Sequence, residues 1–133
     1  MRDLYSLTLY DDLDSHREGF FIGIFDSYDA AESTAKMYLS EVAGFNDYPC
    51  KYEIKSKSVI GGADAPETVS MIWGWNLTDD SDEVDIWESD LYADKNDADA
   101  ALDVIMQEVN RREWCINTYQ IGECGWRDGF VRV

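Results

Sequence analysis

The residue types that could do chemistry are few and poorly placed for it. His16 is the single histidine and lies in DDLDSHREG, where Asp12, Asp14 and Glu18 would raise its pKa towards general acid–base use. No second group completes a nucleophile triad around it, so it is read as a solvated loop histidine. Cys50, Cys115 and Cys124 are odd in number and lack CxxC spacing. Zinc needs cysteine and histidine at close spacing, which one histidine and three scattered cysteines do not supply. An acidic surround also disfavours the thiolate, so the cysteines read as small buried hydrophobes. No GxGxxG, Walker loop, HExxH or GxSxG is present, and Gly61-Gly62 lacks the lysine and hydroxyl of a phosphate loop.

Carboxylates are the one abundant reactive type. DDSDEVD, running from Asp79 to Asp85, comes nearest to a cation loop. An EF-hand alternates its acidic ligands and turns on a glycine at the sixth position; here Val84 follows Asp80 and Asp82, and that glycine is missing. Paired acids could in principle cleave glycosides, but acids this dense pair by chance. The chain is therefore expected to be no enzyme and to carry no cofactor or dedicated metal.

The acids nonetheless dominate. Asp79–Asp103 holds eleven carboxylates against one base, Lys95, and the whole chain of 133 residues carries a formal net charge of −17. Residues 1–66 have 12 acids and 6 bases, and residues 67–133 have 16 and 5, so the second half is the more polarised. Disordered acidic tails lack aromatics; this chain has five Trp, eight Tyr and five Phe, so the charge sits on a folded body. Nucleic acid and anionic membranes would be repelled, and a basic partner is the natural complement. The N-terminus lacks a signal-like apolar core and no apolar run reaches spanning length. With unpaired cysteines, a reducing cytoplasm is the expected location.

The elements that must position these acids follow from periodicity. Leu4–Tyr10 alternates as a strand with Tyr5, Leu7 and Leu9 on one face, and Phe20–Phe25 reads as a strand buried on both faces, with Gly23 marking a close neighbour. Ser27 caps a helix whose apolar stripe is Tyr28, Ala31, Ala35, Tyr38, Leu39 and Val42, stopped at Gly44. Lys51–Val59 is a strand with a charged face of Lys51, Glu53, Lys55 and Lys57, the pattern of a guarded edge. After the linker-like Gly61–Pro66 the order recurs. Thr68–Asn76 and Val84–Tyr92 are strands, and Asn96 caps a helix with the stripe Ala98, Ala101, Leu102, Ile105, Met106 and Val109. Arg111-Arg112 suit its negative end, and Trp114–Ile121 is a further strand.

The expectation is an α+β domain: two similar strand-strand-helix-strand units forming a mainly antiparallel sheet with two helices on one face. One compact domain spans 1–133 as an internal duplication, with 1–60 the first unit, 67–122 the second and 123–133 a tail. Asp29-Ala30 echoes Asp97-Ala98, and Tyr48-Pro49-Cys50 echoes Glu113-Trp114-Cys115. Within each unit the strand–helix–strand step is expected to make a right-handed crossover, with the first strand added antiparallel.

The functional expectation rests on charge. Carboxylates at i and i+2 of a strand lie roughly 6.6 Å apart on one face, comparable with successive phosphates. Asp79, Asp80, Asp82, Glu83, Asp85, Glu88 and Asp90, continued by Asp94, Asp97, Asp99 and Asp103, could occupy the basic groove of a nucleic-acid-binding enzyme. Trp75 and Trp87 flank the acidic turn as candidate hot spots. An acidic inhibitor of a basic protein is the leading reading, by analogy of size and charge with phage anti-restriction and anti-CRISPR proteins. An immunity protein against a basic nuclease toxin predicts the same physics, and a domain acidic only for solubility remains the plain alternative.

Overall fold

Alternating Leu7 and Leu9 with the FFIGIF run build the first half of the fold. In the computed structural model, which describes residues 3–11, 18–47, 49–61, 67–80 and 83–129, they form β1 (Asp3–Asp11) and β2 (Glu18–Phe25). Helix α1 (Tyr28–Glu41) and β3 (Cys50–Ile60) follow. The second half gives β4 (Thr68–Leu77), β5 (Glu83–Tyr92), α2 (Lys95–Glu108) and β6 (Glu113–Gln120). This is an α+β fold of mostly antiparallel strands and two helices. His16, Asp12, Asp14, Tyr48 and most of the Gly61–Pro66 linker lie outside the described residues.

The chain divides into two compact units, Asp3–Lys57 with the segment from Ile121 onward, and Ser58–Gln120. In the first, β1 lies between β2 and β3. In the second, β4 lies between β5 and β6 and is antiparallel to both. The first strand of the second unit is therefore antiparallel to both of its neighbours. It is inserted between β5 and β6, and α2 carries the chain across it. The caps repeat at a fixed offset: Ser27 and Asp94, like Val42 and Val109, are 67 positions apart. That offset aligns buried Ala31 with buried Ala98, one position out of step with the Asp29-Ala30 and Asp97-Ala98 echo.

In the first unit β1 and β2 pair antiparallel with a bulge, Leu7 facing Gly23 and Thr8 facing Phe21, so Ile22 is the extra residue. A bulge shifts which side chains share a face. Phe20, Ile22 and Phe25 thereby join Leu7 and Leu9 in one core with Ala31, Ala35 and Tyr38 of α1 and with Phe45. Phe20 meets Phe45 edge-on at 5.2 Å and Trp126 at 4.8 Å, geometries favoured by ring quadrupoles. Ser27 caps α1 through its Oγ, which accepts from the Ala30 amide at 3.1 Å. Tyr28, expected on the apolar stripe, is 47% exposed.

The segment after β6 is expected as a tail. It returns to the first unit as an irregular strap: the amides of Gly122 and Gly125 each donate to β2, to Ile24 and Ile22 carbonyls, at 2.7 Å. Tyr38 Oη donates to the Gly125 carbonyl at 2.8 Å. Gly23 is the close approach its sequence position implies, because a Cβ there would collide with the Glu123 carbonyl oxygen.

Strand β3 is not the guarded edge its lysines suggest. It neighbours β1, and its last residues, Val59 and Ile60, pair in parallel with Leu91 and Tyr92. Lys57, expected on the solvated face, is buried at 7% exposure, on the same side of the strand as Val59.

Two measurements check this account. Gly23→Ala is expected to destabilise the fold by about 1–3 kcal/mol, because the strap backbone must move to admit the methyl group; chemical denaturation reads the loss. Burial, with a neighbouring Cys124, pushes the Tyr38 phenol up to about 12. A group whose folded pKa is raised contributes stability that is present below its unfolded pKa and lost above it. Stability is expected to fall from about pH 10, the ordinary tyrosine value, to about 12, and Tyr38→Phe should flatten that fall.

Candidate protein-binding surface

The acidic run maps onto the β4–β5 turn, β5 and the start of α2. Asp79 and Asp80 sit in the turn, exposed. Asp82 lies outside the described residues; Glu83 opens β5 opposite Leu77, and its side chain is likewise not described.

Strand β5 faces a local conflict. It must supply Trp87, Leu91 and Tyr92 to the interior while its carboxylates stay in water. Strict alternation cannot satisfy DIWESDLY, and two irregularities in its pairing with β4 resolve the conflict. Trp73 pairs with Glu88 and Met71 with Leu91, while Gly74 pairs with Trp87 and Asn76 with Val84. Each interval therefore holds one more residue on β5 than on β4. At the inner bulge, Ser89 Oγ accepts from the Ile72 amide at 2.9 Å and donates to the Asp90 carbonyl at 2.6 Å. At the outer bulge Asp85 adopts φ 55°, a left-handed conformation that aspartate tolerates better than most residues. Asn76 Nδ2 donates to Asp85 Oδ2 at 3.3 Å, and Arg111 Nε donates to the Asp85 carbonyl. Asn76 Oδ1 also accepts from the Arg112 amide at 3.0 Å.

The consequence is that the β5 carboxylates do not follow an i, i+2 ladder. Asp85 and Asp90 are exposed, Glu88 is partly buried opposite Trp73, and Asp90 Oδ1 accepts from the Ser58 amide at 3.3 Å. Asp94 is the true cap of α2, two residues before the expected Asn96. Its side chain accepts from the Asn96 amide at 2.8 Å. Asp97 occupies the first helical turn, where a carboxylate complements the helix dipole, and its Oδ2 lies close to Gly61. Asp99 and Asp103 are exposed, and Lys95 Nζ reaches Asp99 Oδ2 at 3.7 Å.

The two tryptophans do not act as a pair. Trp87 is opposite Gly74 and packs with Ile72, Tyr92 and Ala98 on the α2 side, meeting Trp114 edge-on at 5.8 Å. Trp75 is the neighbour of Gly74 along β4 and so points to the other face. Trp87 is thus a packing residue, and Trp75 alone of the two shares a sheet face with Glu88. On α2 only Ala98 is fully buried. Met106, expected on the stripe, is 50% exposed, as is Val104 at 55%. Arg111 and Arg112 fall beyond the cap residue Val109, and the Arg111 guanidinium and the Arg112 backbone amide brace the outer bulge.

Sequence reasoning missed Ser89, Asn76 and Arg111, the groups that hold the bulges. Ser89 lies between Glu88 and Asp90, Asn76 near the end of a strand and Arg111 in the polar run Asn110–Glu113, so polarity alone reads all three as solvent-facing. Among the described residues, no group of three or more His, Cys, Asp or Glu is arranged to hold a metal ion, and no helix is long and apolar enough to cross a membrane. No protein-family model, curated protein or solved structure matches the chain.

Ser89→Ala leaves the buried Ile72 amide without its acceptor, and an unsatisfied buried donor costs about 1–3 kcal/mol. The variant is expected to lose that much in denaturant titration, whereas Asp79→Ser in the exposed turn should stay within about 0.5 kcal/mol of the parent.

Proposed function

We propose that this chain is an acidic protein-binding inhibitor that occupies a basic, nucleic-acid-binding surface of a partner protein, of the kind phages direct against host nucleases. The supporting observation is the set of exposed carboxylates, Asp79, Asp80, Asp85, Asp90, Asp94, Asp97, Asp99 and Asp103, on a folded body of net charge −17. Lys95 is the single base in that stretch. Charge of one sign steers a basic partner and speeds association, and salt screens it. The acids' arrangement over a turn, an irregular strand and a helix start suits a broad electrostatic footprint more than a strand-long imitation of one phosphate backbone. Trp75, beside Glu88, is the aromatic contact on this reading.

Affinity capture from a bacterial lysate, at low and at high salt, supplies the test. A basic nuclease or other nucleic-acid-binding protein is expected to be retained and then released by salt. Purified partner should bind Asp79→Ser, Asp80→Ser, Asp97→Asn and Asp99→Asn combined at least about tenfold more weakly, about 1.4 kcal/mol. Most of that change should appear in the association rate. Undiminished binding of the combined variant would remove the carboxylates from the mechanism. A captured toxin nuclease would instead identify the inhibitor as an immunity protein.

A further inference from the structure

β6 differs from the other strands in how its outer side is managed. It ends the β5-β4-β6 order of the second unit, and it pairs with β4 through eight consecutive residues, Thr68 opposite Gln120 to Trp75 opposite Glu113, with no bulge. The β1–β2 and β4–β5 ladders, by contrast, are interrupted. Its sequence, EWCINTYQ, carries one charge, Glu113, at its very start, and has no lysine or proline. Those are the devices by which edge strands refuse further pairing. β2, the outer strand of the first unit, is covered by backbone hydrogen bonds from Gly122 and Gly125. In a chain of net charge −17, a regular eight-residue terminal strand with a neutral body is the exception.

We propose that β6 is a strand-addition interface whose occupant is a second copy of this chain, joined antiparallel about a two-fold axis through the strand centre. A two-fold perpendicular to the sheet keeps the α2 side of each copy on one side, so residues of like parity face each other. Centred on Asn117, the register sets Ile116 against Thr118, Cys115 against Tyr119 and Trp114 against Gln120. Glu113 of one copy then lies beyond the other copy's Gln120, so no carboxylates oppose each other within the ladder. A basic partner finds no complementary charge on this strand, whereas a second copy finds its own neutral surface. Long-range repulsion between the copies is what limits the association, and salt relieves it.

The test separates this interface from the acidic surface through the sign of its salt dependence. Light scattering after size exclusion, on the full chain, should show the mass rising from monomer towards dimer between about 0.01 M and 1 M salt, as the Debye length shrinks from roughly 30 Å to 3 Å. Binding of a basic partner should weaken over the same range. Asn117 and Gln120 are exposed, so the double variant Asn117→Lys and Gln120→Lys should fold with the parent's thermal midpoint and remain a monomer at high salt. Asp79→Lys with Asp80→Lys makes a larger charge change at the β4–β5 turn and should still dimerise. A parent that stays monomeric at high salt and high protein concentration overturns the proposal. Equal dimerisation of the β6 variant and the turn variant overturns it too.

Discussion

The hydrogen bond from the Ile72 amide to Ser89 Oγ is small in itself, yet the form of the second unit depends on it. β4 is paired on both sides, so an amide displaced from the ladder by a bulge has no water to turn to. Ser89, 5% exposed, replaces the missing carbonyl, and the bulge becomes tolerable. With it in place, Tyr92 can pack under α2 and Leu91 on the opposite face, while Asp90 remains in solvent. A strand in strict alternation would have had to bury a carboxylate or expose an aromatic ring, and an unpaired buried charge costs far more than a serine.

The same reasoning applies around Asp85. Its positive φ turns the strand where the acidic hairpin begins, and Asn76, Arg111 and Arg112 converge on it and on the end of β4. The Arg111 guanidinium, one of the chain's eleven bases, and the Arg112 backbone amide are thereby committed to holding backbone in place rather than to neutralising acids. The negative surface is left intact beside them. This concentration of carboxylates around an irregular strand is what the proposed inhibitor role rests on.

Much of the architecture was legible beforehand, and the reasons differ by element. Both helices and all six described strands lie within a few residues of their sequence-derived bounds, because apolar period and cap chemistry are local. Gly23 was legible as a close approach because glycine in an apolar strand has few other uses. The Asn96 cap was misplaced because Asp94, Asn96 and Asp97 are all competent caps, and only the path of the chain out of β5 selects among them. Lys57 was misread because a lysine in an alternating strand is assigned to water unless the strand's neighbours are known.

Composition and periodicity by themselves determined a folded, strongly acidic α+β chain, the order of its elements and the concentration of charge in its second half. These are properties of short windows, and short windows are sufficient to set them. Tertiary structure alone decided that β1 and β4 are inserted within their crossovers, and that residues after β6 strap β2. It also decided that Trp75 and Trp87 face opposite ways. Each of these depends on which backbone amide finds which carbonyl across many residues of chain, and a one-residue bulge reverses a face.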